Sequence, residues 1–313
     1  MSAPLVGRLA VIGAGLIGSS IARAAREKGL ADVVVVSDRD AGVRARVRDL
    51  DFADVVADSS AEAAQGADIV IACVPVGASG AVAADVAPVL KPGAILSDVG
   101  SVKAAVVEQM APLVPAHAHL VPAHPVAGTE WSGPDAGFSS LFQNRWCIVT
   151  PVEGSDPAAV ERLSALWTGM GANVEQMSPQ HHDLVLAITS HLPHLIAYNI
   201  VGTAEHLEQT LTSEVIKFSA GGFRDFTRIA ASDPTMWRDV FLYNREAVLE
   251  MLGRFTEDLS ALQRAIRYGD GEMLFDHFTR TRAIRRSIIE QGQETAAADF
   301  GRRAATADKA PQP

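Results

Sequence analysis

The stretch His124-Pro125-Val126-Ala127-Gly128-Thr129-Glu130 combines a histidine and a carboxylate six residues apart, the residue types of an acid/base pair. Proline fixes its own φ and biases the residue before it toward extended backbone, so the His124 imidazole is aimed from a stiff loop. Gly128 permits a tight return that brings Glu130 back toward the same cleft. Imidazole titrates near neutrality, which suits it to taking a proton from a hydroxyl. A second set of groups lies downstream, where Gly221-Gly222-Phe223-Arg224-Asp225-Phe226-Thr227-Arg228 precedes the stretch that ends at Trp237. Two arginines, an aspartate and two aromatics beside a glycine pair suit an anion clamp better than a plain turn. His191 and His194 have the i, i+3 spacing of a metal pair, but no nearby acid or thiol completes a ligand set, so no metal is expected.

The elements that must position these groups follow from pattern. Leu9 to Ile12 is an apolar run that ends in Gly13-Ala14-Gly15-Leu16-Ile17-Gly18, and Ser19 to Lys28 reads as a helix closed by Gly29. In a strand-turn-helix unit the first glycine allows the tight turn, the second lets backbone approach a pyrophosphate, and the third lets helix pack on strand. Val33 to Val36 forms the next strand, and Asp38 ends it twenty residues beyond Gly18, where a carboxylate would accept from the adenosine ribose hydroxyls. That acid favours NAD over NADP, with Arg39 beside it as the one feature pulling the other way. The strand Ala67 to Pro75 brings Val74 and Pro75 to the cofactor side. A helix over about 79–90 and the strand 94–99 follow, and then Gly100-Ser101-Val102-Lys103 opens another helix. Ser101 reads as an N-cap there, with a second role credible from its place at a strand end. His119 to Pro122 forms a short strand before His124, and strands 146–150 and 173–177 flank a helix over 156–171 and complete the sheet. This alternation predicts a Rossmann-type α/β domain with a mostly parallel sheet over residues 1–177.

Beyond Ser178-Pro179, an N-cap followed by proline, no strand signal remains, and residues 178–294 read as an all-α domain with a disordered tail over 295–313. Leu184 to Ala204 carries no charge, yet Ser190, His191, Pro193, His194 and Asn199 crowd its middle, so a buried helix fits better than a membrane span. Pro193 predicts a kink. Apolar stripes such as Phe255, Leu259, Leu262 and Ile266 add more hydrophobic surface than a thin helical domain covers alone, which predicts a homodimer through the helical half.

Composition bounds the partners. The 313 residues are 48% hydrophobic and 20% charged, with a formal net charge of -10 and a pI near 5.4. Neither nucleic acid nor an anionic membrane suits such a chain, since phosphate binding needs a basic footprint. Cys73 and Cys147 sit in separate apolar runs and read as buried free thiols. The N-terminus lacks signal-peptide features, so a cytoplasmic location is expected.

With these pieces in order, the chain resembles the prephenate/arogenate dehydrogenase family of tyrosine biosynthesis from Leu9 to about Gln291. The resemblance is carried by Gly13 to Ser19, Asp98 with Gly100 to Lys103, His124 to Glu130, Ser190-His191-Leu192-Pro193-His194, and the Gly221 to Trp237 stretch. It implies NAD as cofactor, His124 as the base on the ring hydroxyl, Ser101 beside hydroxyl and nicotinamide, and Arg228 gripping a substrate carboxylate. It puts His194, Glu130 and Trp237 around the site and Arg224 and Asp225 at a gating ion pair, with arginine here where some members have lysine. It leaves prephenate and arogenate both open as substrates, since Glu130 could pair with the ammonium of arogenate while Arg224 and His194 suit a keto acid. Two rivals remain: a hydroxyacid dehydrogenase or imine reductase with the same two-domain plan that releases no carbon dioxide, and, from a different class, an NAD-sensing protein without catalysis.

Overall fold

The computed structural model describes residues 4–129, 131–211 and 221–290. Residues up to Met251 form one compact unit and those from Leu252 a second. Six parallel strands lie in the order β3-β2-β1-β4-β5-β6: β1 Val6–Ile12, β2 Ala31–Ser37, β3 Val55–Ala57, β4 Ile69–Ala72, β5 Ile95–Asp98 and β6 His119–Leu120. Alternation along β1 divides the core. Leu9 and Val11 enter one apolar cluster and Ala10 and Ile12 the other, so the sheet is buried on both faces, as a parallel sheet requires. Strand order reverses between β1 and β4, and ligands of open α/β sheets bind at the carboxyl ends beside that switch.

Helix α1 spans Leu16–Glu27, α2 Ala41–Leu50, α3 Ser60–Ala64, α4 Ser79–Val86 and α5 Lys103–Met110. Strands 146–150 and 173–177 do not complete the parallel sheet. They form a separate three-stranded sheet in which β7 (Ala123–Pro125) pairs antiparallel with β8 (Trp146–Val149), and β8 pairs parallel with β9 (Asn173–Gln176). Pro122 and Pro125 explain the break: neither has an N–H for a ladder, and β7 is the edge strand, where proline is tolerated. Helix α6, Pro157–Met170, starts on an Asp156 cap and ends on Gly171 at φ 101.

Helix α7, Pro179–Leu186, begins on the predicted Ser178 cap. Just before Pro193, where a kink was expected, residues Ala187–His191 make a π turn, in which Leu192 N–H donates to the Ala187 carbonyl, and α8 continues over Leu192–Leu211. By length and apolarity, Pro179–His206 could cross a membrane. The stretch expected to clamp an anion is not a loop. Gly221–Thr227 is helical, Arg228–Ala231 a 3₁₀ turn, and Asp233 caps the next helix, Pro234–Tyr243. Helices Arg245–Tyr268 and Gly271–Glu290 follow. The expected tail over 295–313 lies outside the described residues.

Candidate active site

The glycine loop is shaped as the sequence demands. Gly13 has φ 99, and a Cβ there would stand 2.3 Å from the Cys73 carbonyl oxygen; one on Gly18 would stand 1.9 Å from the Gly13 oxygen. Both positions are closed to any side chain. A carbon added at Gly15 meets nothing within 4 Å, and α1 starts there with no side chain bonded to its cap. Leu16 and Ile17, half-buried at the start of α1, carry N–H groups that the helix itself does not satisfy, which fits a dinucleotide pyrophosphate. Asp38 is fixed beside this cradle, accepting from Ala14 N–H at 2.8 Å and Asp40 N–H at 2.9 Å. Val74 packs against Gly13 on the other side, and Pro75 is exposed at the end of β4.

His124 lies on β7 and is buried, at 6% exposure. Its Nδ1 is 2.8 Å from His182 Nε2, and His182 Nδ1 is 2.8 Å from an Asp183 carboxylate oxygen. Burial first, then His182, Lys103 and His191, push the His124 pKa well below the usual histidine value. At neutral pH it is therefore an uncharged imidazole. His182 is also held low, by burial, against the opposing pull of Asp183.

Two further side chains fix the backbone under His124. Lys103 is fully buried and donates from Nζ to Asp98 Oδ2 at 2.5 Å and to the Ala123 carbonyl at 2.7 Å. Asp98 also accepts from Gly100 N–H at 2.7 Å and Ala123 N–H at 3.3 Å. The turn after β5 and strand β7 are thereby joined through one buried ion pair.

The far wall comes from the helices. His191 is buried, its Nδ1 lies 3.0 Å from Asn244 Nδ2, and its pKa is pushed down to about 4 by burial. Asn244 Nδ2 also donates to the Asp183 carbonyl at 2.8 Å, so His191 Nδ1 is the acceptor and Nε2 carries the hydrogen. That Nε2–H is buried beside the Ser101 backbone without a partner in hydrogen-bond geometry. His194 bonds the Ser190 carbonyl at 2.8 Å and stacks on Trp237, ring centroids 3.6 Å apart. Burial lowers its pKa, and the Arg228 charge lowers it further, which puts Arg228 within electrostatic reach of His194. Neither histidine's partners suit a metal, and among the described residues no group of three or more His, Cys, Asp or Glu could hold one.

Two family models cover the chain: the nucleotide-binding domain of prephenate dehydrogenase matches residues 21–176, and the dimerization domain of prephenate dehydrogenase matches residues 178–280. This chain belongs to the prephenate dehydrogenase family. A cyclohexadienyl dehydrogenase from Zymomonas mobilis is 43% identical over 280 residues, 90% of this chain and 95% of the relative. A crystal structure of Aquifex aeolicus prephenate dehydrogenase in complex with hydroxyphenyl propionate and NAD+ superposes with TM-score 0.82 at 31% identity, covering 90% of this chain and 98% of that one. Synechocystis arogenate dehydrogenase follows at TM-score 0.75 and 26% identity, covering 90% and 99%. As a member of this family, the chain is an NAD-dependent oxidoreductase.

The prephenate dehydrogenase fold gathers most of the residues singled out from sequence. Gly13, Gly15, Leu16, Ile17, Gly18, Asp38, Val74 and Pro75 surround the cradle, while Ser101, His191 and His124 form one cluster and His194, Trp237 and Arg228 another. Ser101 is not an N-cap. Val102 holds that position, and the Asp183 carboxylate caps α5 from another helix, accepting from Lys103 N–H at 2.7 Å and Ala104 N–H at 2.9 Å. Arg224 and Asp225 are exposed on their helix, and Glu130 lies outside the described residues. His182, Asp183 and Asn244 were not foreseen. The available signal was a His-His-Asp run immediately before the long uncharged stretch, where a buried carboxylate would need partners.

Proposed function

We propose that this chain oxidatively decarboxylates both prephenate and arogenate, with His124 as the base. The observation that carries the reading is a buried, neutral imidazole at a strand end, clustered with His191 and Ser101 on the ligand-binding side of a dinucleotide fold. His124 takes the proton of the ring hydroxyl. The hydrogen on the same carbon leaves as hydride, the bond to the ring carboxylate breaks, and its electron pair completes the aromatic ring as carbon dioxide departs. NAD, when bound, supplies the hydride acceptor. Arg228 holds a substrate carboxylate, with His194 stacked on Trp237 beside it, so that the carbinol hydrogen is oriented and not merely bound. Ser101 and the buried His191 Nε2–H are hydrogen-bonding groups for the hydroxyl end, and Arg224 and Glu130 are assigned to the substrate side chain by the resemblance.

Acceptance of both substrates is supported by the names of the relatives: cyclohexadienyl dehydrogenase for one, arogenate dehydrogenase for another. We assign the nucleotide-binding part to residues 1–177 and a homodimer interface to the helical part beyond it. The match to a dimerization domain and the exposed Ile266, Phe275 and Phe278 support that interface. A cytoplasmic location belongs to the same proposal.

The test is NADH absorbance and evolved carbon dioxide on mixing enzyme, NAD and each substrate. The expected kcat/KM values lie within about two orders of magnitude of each other, a gap under about 3 kcal/mol in transition-state binding. His124→Asn should bind NAD normally with kcat lower by about a hundredfold or more. A preference above about a thousandfold for one substrate would refute dual acceptance, and near-normal turnover in the mutant would remove His124 from its role.

A further inference from the structure

We propose that His182 and Asp183 are positioning residues that fix the tautomer of His124, keeping its proton on Nδ1 and its lone pair on Nε2, the nitrogen turned to the substrate. The inference rests on His124 being the base. Its first step is the state of Asp183. Both carboxylate oxygens already accept a backbone N–H from the start of α5, Oδ1 from Lys103 and Oδ2 from Ala104. A group that accepts at both oxygens is an acceptor toward its third neighbour as well, so the 2.8 Å contact with His182 is donated by His182 Nδ1–H.

A neutral imidazole has one N–H. His182 Nε2 is consequently a lone pair, and the 2.8 Å contact with His124 must be donated by His124 Nδ1–H. The rings meet edge to face, with centroids 5.0 Å apart and an interplanar angle of 70°, which lets an N–H of one point at the ring-plane nitrogen of the other. The remaining nitrogen of His124 has no hydrogen. When it takes the hydroxyl proton, the O–H bond breaks, an Nε2–H bond forms, and the new positive charge lies at one end of a hydrogen-bonded line whose other end is the Asp183 carboxylate. The charged and titratable groups around this line are Asp98 at the end of β5, Lys103 at the start of α5, Cys147 on β8, and His191 in the π turn. Asp183 also caps the helix that follows Ser101, so the same carboxylate sets the proton position on the base and anchors the adjoining turn.

Replacing the orienting aspartate of a serine-protease triad by asparagine costs about ten-thousandfold in kcat because the histidine adopts the wrong tautomer. Here the lock acts through an additional ring, and His182→Leu is expected to lower kcat by about tenfold to a thousandfold while KM for prephenate and for NAD stays within about threefold. His182→Gln keeps an acceptor oxygen for His124 Nδ1–H and should recover about tenfold or more of that loss. Imidazole ¹H–¹⁵N correlation spectra of the full-length NAD-bound enzyme give a readout independent of turnover, with His124 expected protonated on Nδ1 and bare on Nε2. A hydrogen on His124 Nε2 in the wild type overturns the proposal, as does full kcat in His182→Leu. Normal turnover in His124→Asn with the expected spectrum would instead remove the base assignment and leave the tautomer lock standing.

Discussion

Lys103→Met tests whether the buried ion pair beneath His124 organises the site. The lysine is 0% and Asp98 1% exposed, and Nζ donates to both Asp98 and the Ala123 carbonyl. Methionine fills nearly the same volume, so the change leaves little cavity and reports mainly on charge. What remains is a carboxylate with two backbone donors, from Gly100 and Ala123, and no counter-charge. Breaking a buried pair from one side costs about 3–5 kcal/mol, a large share of the roughly 5–15 kcal/mol that holds a typical protein folded. Urea unfolding at fixed protein concentration should show that loss as a lower midpoint with an unchanged slope. The double mutant Asp98→Asn/Lys103→Met removes the stranded charge and should regain about 2 kcal/mol. There is a second readout. Lys103 helps to hold the His124 pKa down, so its removal raises that pKa and moves the acid limb of kcat to higher pH. A single mutant destabilised by less than about 1 kcal/mol, with a double mutant no better, would refute the reasoning.

Arg228→Ala should raise KM for prephenate by about tenfold to a hundredfold through loss of a charge-assisted contact, with KM for NAD changed by less than about threefold; steady-state kinetics in both substrates decide it, and equal changes would indicate a structural role. Acid should destabilise the fold through His191. Its folded pKa of about 4 lies below the ordinary 6.5, so the unfolded chain binds the extra proton first. The corresponding stability is present above pH 6.5 and is lost as pH falls toward 4, by about 3 kcal/mol from this group. Denaturation midpoints across that range should fall with pH, and His191→Asn should flatten the slope; an unchanged slope would contradict the assignment.

Legibility from sequence followed the range of the physics. The cradle was readable because its constraints are local: Gly13, Gly15 and Gly18 lie within six residues and each answers to backbone geometry. The cap at Ser178 was readable for the same reason. His124 stood out because Pro125 marks its backbone. The second sheet was hidden, since strands 146–149 and 173–176 have the same apolar pattern in either sheet and only prolines at 122 and 125 hinted at the break. Asp183 was hidden more deeply. Its partners on α5 are 79 and 80 residues away, and no periodicity links a carboxylate to a helix it caps from across the fold. The assignment of Ser101 as a cap failed there, because a local rule was overridden by a tertiary acceptor.

The π turn before Pro193 has a consequence for helical phase. Twelve residues of regular α-helix would separate His182 from His194 by about 120° around the axis, at about 100° per residue. A π turn absorbs one additional residue, which removes about 100° and leaves the two imidazoles within about 20° of one face. Pro193 maintains that wide turn because, in a regular helix, its ring would collide with the Thr189 carbonyl. The proline thus acts on the rotation of everything after it: α8 is turned by nearly a third of a revolution, and the ring that stacks on Trp237 is carried to the same side as the ring that meets His124.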